Sequence, residues 1–144
     1  MENLEQILAL WDKDSVIDQT EPGKELLKIP TLHNRYLRIL VAHRAARQKL
    51  MYNYNRMKKL KHEYYSGKMD EDELSTLGWE PFRYVLKSDI TTYIESDDEL
   101  IKILEKKMYH DEMISVCESI MKEISGRNWT IKSFIDWERF IAGN

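Results

Sequence analysis

One stretch limits what this chain can fold into: residues 35–68, RYLRILVAHRAARQKLMYNYNRMKKLKHEYYSGK. It is helical in pattern, strongly basic and studded with tyrosine. Ten Lys or Arg side chains stand against one acid, Glu63, giving the stretch a formal charge of +9 in a chain of net −3. Tyr36, Leu37, Leu40 and Val41 give its first half an apolar face. Leu50, Tyr54, Met57 and Tyr64 continue a face at three- and four-residue steps. Pro30 and Thr31 open the helix, because a proline's missing N–H costs nothing in the first turn. Gly67 closes it as a residue able to take positive φ.

A second long helix is predicted over 97–125. Ser96-Asp97-Asp98-Glu99 reads as a capping box. Ile101, Leu104, Met108, Met113, Cys117, Ile120 and Ile124 then recur at helical spacing, and Gly126 is the stop signal. Short helices flank the pair. Residues 3–11 place Leu4, Ile7, Leu8 and Trp11 on one side, and a last helix from Thr130 carries Ile131, Phe134, Ile135, Trp137, Phe140 and Ile141. The polar segment Asp12 to Gly23, with Pro22-Gly23 as a turn, reads as an extended strap. The acidic run 70–73 is expected in a loop. It is no calcium loop, since Ser75 falls where the turn glycine belongs and Pro81 where the closing glutamate belongs. Phe82, Tyr84 and Leu86, then Ile90, Thr92 and Ile94, alternate in places, so short strands are expected near 80–95. The fold class is thus mainly α: two long helices (about 31–65 and 97–125), short terminal helices and an irregular acidic middle. The chain is expected to be one domain over 1–144. Residues 1–95 would form one part, with the basic helix, and 96–144 a second, helical part.

Composition excludes more than it selects. A third of the 144 residues are charged and five are glycine, which favours helix over a many-turned β fold. The one cysteine, Cys117, allows no internal disulfide framework and fits a reducing cytosol. It falls in an apolar stripe and reads as a core thiol. No apolar run reaches membrane-spanning length and the first residues lack a basic leader region, so a cytoplasmic protein with no membrane contact is expected. Glycine-rich phosphate loops, zinc-finger spacings and hydrolase or kinase signatures are missing. His33, His43 and His62 read as polar helix-surface residues, and His110-Asp111-Glu112 as a solvated face. No catalytic residue, metal or cofactor is expected.

Binding remains. Arg56, Lys58, Lys59, Lys61 and Lys68, with Tyr64 and Tyr65 beside them, combine cations for phosphates with rings for bases. Single-stranded nucleic acid is held in this way. A basic face packed against the acidic remainder of the chain, or against a neighbouring subunit, fits the composition equally well. The six large apolar groups Ile131, Phe134, Ile135, Trp137, Phe140 and Ile141 exceed what a small body needs. They point to self-association as readily as to docking on the chain's own core.

At Lys59-Leu60-Lys61 followed by Tyr64-Tyr65-Ser66-Gly67 the chain resembles the UvsY family of recombination mediators of T-even-like bacteriophages. In that family two basic residues one position apart precede a Tyr-Tyr-Ser-Gly signature. The second is Lys61 here where the family has arginine, which keeps the charge and loses the guanidinium fork. Val16-Ile17-Asp18, Val85-Leu86-Lys87-Ser88-Asp89 and the tail residues Ile131-Lys132, Asp136, Phe140 and Ala142-Gly143 extend the resemblance over most of the chain. It implies a non-enzymatic, phage-encoded protein of the host cytoplasm that binds single-stranded DNA. Such a protein helps a RecA-like recombinase of the UvsX type displace a single-strand-binding protein. The resemblance also implies a ring-like or open-barrel homo-oligomer, a hexamer or heptamer, held by its C-terminal part. Within the basic helix, Arg35, Arg38, Arg44 and Arg47 are expected to serve intersubunit or partner contacts. DNA is expected at the last turns, Arg56 to Lys61, and at the tyrosine corner.

Overall fold

The computed structural model describes residues 1–82 and 85–143. Among them the chain forms α1 (Leu4–Asp14), α2 (Pro22–Tyr65), α3 (Glu71–Leu77), a 3-10 turn (Lys87–Asp89), α4 (Ile90–Glu95) and α5 (Asp98–Ile141), with no strand. The mainly α fold on two long helices is the one the sequence predicts. Two compact units divide it, Met1–Ala45 with His110–Asn144, and Ala46–Tyr109, so both long helices contribute to each unit.

In the first unit α1 is held at its start by a capping box: Asn3 Oδ1 accepts from the Gln6 N–H at 2.9 Å while the Asn3 N–H donates to Gln6 Oε1 at 2.9 Å. Ile7 is fully buried against Leu32, Tyr36, Ile39 and Leu40 of α2 and Met113, Ile114, Cys117, Ile120 and Ile124 of α5. Each large apolar side chain so placed contributes about 1.5–3 kcal/mol. The face of α2 is rotated from the expected one, since Leu37 and Val41 are exposed and Ile39 is buried. Burial pushes the Cys117 thiol up to about 11, in keeping with an inert core thiol. His43 is buried and not on the surface: its Nε2 lies 2.8 Å from the Glu2 carbonyl and its Nδ1 2.8 Å from His110 Nδ1. A carbonyl only accepts, so His43 Nε2 carries the proton and Nδ1 accepts from His110.

Several boundaries differ from expectation. α2 starts at Pro22, and Pro30 lies inside it. Pro22 fits the first turn for the very reason offered for Pro30. Pro30 is exposed, and beside it Leu32 is buried and Ile29 packs on the core, so packing on both sides carries the helix across one lost hydrogen bond. Similarly, α5 runs through Gly126. Ile120, Ile124, Arg127 and Ile131 are all buried at steps of four, three and four, so the inward stripe crosses the glycine without a phase break. A glycine costs a helix only about 1 kcal/mol, which this burial offsets. The acidic run, lastly, is the first turn of α3: Asp70 Oδ1 accepts from the Glu73 N–H at 2.8 Å, and Glu71, Asp72 and Glu73 sit at the positive helix end.

In the second unit Ile90, Ile94 and Leu100 pack with Tyr54, Met57, Tyr65 and Val85. The expected strands near 80–95 are the 3-10 turn and α4. Ile90 and Ile94 share a face in either structure; Thr92 decides, being exposed as a helix requires. Tyr84 of the alternating pattern lies outside the described residues. α2 ends as expected at Gly67, with φ 72°. The Gly67 N–H reaches the Tyr64 carbonyl at 3.1 Å and the Lys68 N–H the Glu63 carbonyl at 3.0 Å, the paired bonds of a Schellman motif. α5 is capped one residue later than expected, by Asp97, whose Oδ1 accepts from the Leu100 N–H at 3.0 Å.

Candidate nucleic-acid interface

The last turns of α2 carry the residues expected to meet DNA, and helical geometry sends them in different directions. The inward stripe of this half runs Tyr54, Met57, Lys61, Tyr64 and Tyr65, at three- and four-residue steps. Lys61 is therefore in phase with the core while Arg56, Lys58 and Lys59 are out of phase and exposed, as is Lys68 beyond the helix. The structure brings these residues into one unit and divides them among three environments.

Lys61 is 6% exposed. Its ammonium lies 3.1 Å from Asp97 Oδ2 and 3.3 Å from Glu99 Oε1, and 4.1 Å from the centre of the Trp79 ring. Tyr65 donates its hydroxyl to the same Asp97 oxygen at 2.5 Å. Two carboxylates and an aromatic face thus already neutralise this cation, and a phosphate would have to displace them. Burial works to raise the Asp97 pKa. The Tyr65 hydroxyl, the Leu100 N–H and Lys61 outweigh it and hold the carboxyl below its ordinary 3.8. Burial, then the hydrogen bond to Asp97, raises the Tyr65 hydroxyl well above its ordinary 10.0.

The tyrosine rings are likewise engaged. Tyr64 donates to the Glu80 carbonyl at 2.7 Å and meets Trp79 and Phe82 at ring separations of 5.2 Å each. Tyr65 meets Phe82 at 5.1 Å and Tyr93 at 5.5 Å. Both rings are half-buried in an aromatic cluster that ties the end of α2 to the returning chain. The two edge-to-face pairs among these, Tyr64 with Trp79 and Tyr65 with Phe82, add about 0.5–1.5 kcal/mol each beyond their burial.

The exposed cations split between two clefts. Arg56 and Lys59 share one with Glu63 of α2 and with Asp70, Asp72 and Glu73 at the start of α3, two cations against four acids. Lys58 and Lys68 line the other with His62, Lys87 and a single acid, Glu95. Lys87 enters the sequence reading only within the Val85–Asp89 block and not as a phosphate ligand, because it stands alone between Leu86 and Ser88, twenty-six residues past Lys61. Only the chain's return along α2, fixed by the bond from the Val85 N–H to the Tyr65 carbonyl at 3.3 Å, places it here. The arginines expected to serve intersubunit or partner contacts include two with ion-pair partners in their own unit, Arg35 with Asp14 at 2.6 Å and Arg44 with Glu118 at 3.1 Å.

At the C-terminal end, Ile131 is buried in the first unit's interior and Phe134 and Ile135 are half-buried. Phe134 lines a small apolar cleft with Ile17 and Pro22. Trp137, Phe140 and Ile141 are 57%, 72% and 62% exposed, with Trp137 stacked on Phe140 at 5.7 Å. No helix among the described residues is long and apolar enough to cross a membrane.

The family model described as "Recombination, repair and ssDNA binding protein UvsY" matches residues 10–144. The chain is similar to the recombination protein uvsY of Enterobacteria phage T4, at 26% identity over 143 residues, covering 97% of this chain and 98% of that protein. Crystal structures of the bacteriophage T4 recombination mediator protein UvsY share its fold. One has a TM-score of 0.85 at 22% identity, covering 99% of each chain. A second lattice gives 0.83 at 22% identity, over 96% of this chain and 99% of that one.

Proposed function

The chain belongs to the UvsY family of recombination, repair and single-stranded DNA-binding proteins, and from that premise we propose that it is a recombination mediator. It binds single-stranded DNA, assembles as a ring-like or open-barrel homo-oligomer, and helps a RecA-like recombinase replace the single-strand-binding protein on a strand in the host cytoplasm. The observation that carries this reading is the cluster of exposed cations, Arg56, Lys58, Lys59 and Lys68, at the end of α2 in a chain whose other parts are acidic. Phosphate polymers respond to such local fields and not to net charge.

Each subunit offers few cations, so a single copy would hold DNA weakly. Oligomerisation repeats the contacts along one strand and multiplies weak affinities through effective concentration. Trp137, Phe140 and Ile141, with Phe134 and Ile135 at their flank, are the surface that a second copy would cover. A strand held in a set conformation around the assembly disfavours the resident single-strand-binding protein and favours the recombinase.

Anisotropy of a labelled single-stranded oligonucleotide, titrated across a salt series, tests the binding step. Affinity should fall by about 0.7 log units per log unit of salt for each phosphate neutralised. The loading step is read as a shortened lag in recombinase ATP hydrolysis on strands covered with single-strand-binding protein. A chain that leaves the oligonucleotide unbound at low salt is not a mediator; the second reading is then a non-enzymatic helical oligomeric scaffold whose basic helix docks an acidic protein partner.

A further inference from the structure

We infer that the strand's phosphates run through the cleft of Lys58, Lys68 and Lys87, on the side of α2 away from the Arg56 and Lys59 cleft, and that Lys87 is a DNA-contacting residue. This rests on the single-strand-binding reading above. Lys58 and His62 are one helical turn apart and share a face. Lys68 follows the turn at Gly67, which reverses the chain beside that face. Lys87 comes from the returning segment, where the Val85–Tyr65 backbone bond holds the chain two residues before it and a 3-10 turn, closed by the Asp89 N–H on the Leu86 carbonyl at 2.8 Å, carries it. Three lysines from three separate segments therefore line one cleft with a single acidic residue among the described residues, Glu95.

Like charges that outnumber their counter-charge repel one another, and a phosphate chain relieves that repulsion. Among the described residues none of the three lysines has an ion-pair partner; Lys58 only rests over the Tyr54 ring, 5.9 Å from its centre. The Tyr54 ring and the apolar floor of Ile90 and Ile94 give a base a surface to lie on, as single-strand grooves require. The neighbouring cleft has the opposite balance. The acids at the start of α3 stand where a strand's phosphates would, so Arg56 and Lys59 attract DNA less than their exposure alone implies. Lys61 is neutralised from within. Of the two clefts at this end of the chain, the Lys87 cleft is the one in which cations outnumber acids, three lysines to one carboxylate among the described residues.

The test compares variants of the full chain by anisotropy on one labelled single-stranded oligonucleotide across a salt series. Circular dichroism and light scattering check that fold and assembly are unchanged. Lys58→Ala and Lys87→Ala should each weaken binding about fivefold at 0.1 M salt and lower the salt slope by about 0.7. Glu95→Gln should tighten binding. Lys102→Ala, which removes one exposed charge from α5, should leave both affinity and slope as in the parent chain. Lys87→Ala binding like the parent, or Lys102→Ala losing as much as Lys87→Ala, overturns the cleft while the family-level reading stands. A parent chain that binds no oligonucleotide overturns the function itself.

Discussion

The side chain whose role changes most between sequence and structure is Lys61. Its place in a basic run suggests a phosphate ligand, yet it lies at the phase of Tyr54, Met57 and Tyr65 and so points inward. Removing one partner of a buried ion pair strands the other, at a cost of about 3–5 kcal/mol. Lys61→Met should destabilise the second unit by about 3 kcal/mol, since Asp97 keeps the Tyr65 hydroxyl and the Leu100 N–H. Hydrogen exchange read over residues 46–109 checks this. The salt slope of DNA binding at temperatures where the variant is folded should change less than in Lys87→Ala. Acid acts on the same carboxylate. Asp97 titrates lower folded than its ordinary 3.8, so the unfolded chain takes up its proton first as pH falls. The stabilisation is present in full above about pH 4 and is lost as pH drops through the folded value. Urea midpoints between pH 5 and pH 3 should fall more steeply for the parent than for Asp97→Asn. Equal slopes would mean that other carboxylates set the acid limit.

Among the elements, the two long helices are legible because their signals are local and repeated. Their ends are less so, because a single Pro or Gly carries a small, definite cost that packing elsewhere overrides. Gly126 shows this. A Cβ there meets nothing within 4 Å, and the residue lies within helical backbone. Gly126→Ala should therefore raise stability by about 0.5–1 kcal/mol, measured as a shift of the urea midpoint at constant slope. A loss of stability would show that α5 bends there and needs the glycine. The signal for continuity was present in the sequence as Ile120, Ile124 and Ile131 with Arg127 between them. It is hidden because Arg127 is charged. In the structure its guanidinium is covered, lying 5.5 Å from the Trp11 ring centre and donating to the Asp14 carbonyl. The strands expected near 80–95 fail for a related reason. Apolar residues four apart fit both periods, and only the burial of their neighbours separates a short helix from a strand.

For the whole molecule, the surplus of apolar groups near the C-terminus is read correctly as a surplus only in part. Ile131 belongs to the chain's own interior; Trp137, Phe140 and Ile141 remain outside it. If these form the contact between copies, Trp137→Ala with Phe140→Ala should shift light-scattering mass toward smaller species at micromolar concentration. Binding to long strands should weaken with it, because effective concentration is lost along with the assembly. Thermal melting of the separated species should stay close to that of the parent, since neither ring fills the core. The sequence by itself determined the helical class, the Gly67 stop, the charge polarity and the family resemblance. All of these are written in periodicity, capping chemistry and short motifs that act within a few residues. Which cations face solvent, and which acids face them, only the tertiary structure decided. Lys61 meets Glu99 across 38 positions and Lys87 joins Lys58 through the chain's return along α2. Electrostatic pairing depends on distance in space, which no local pattern encodes.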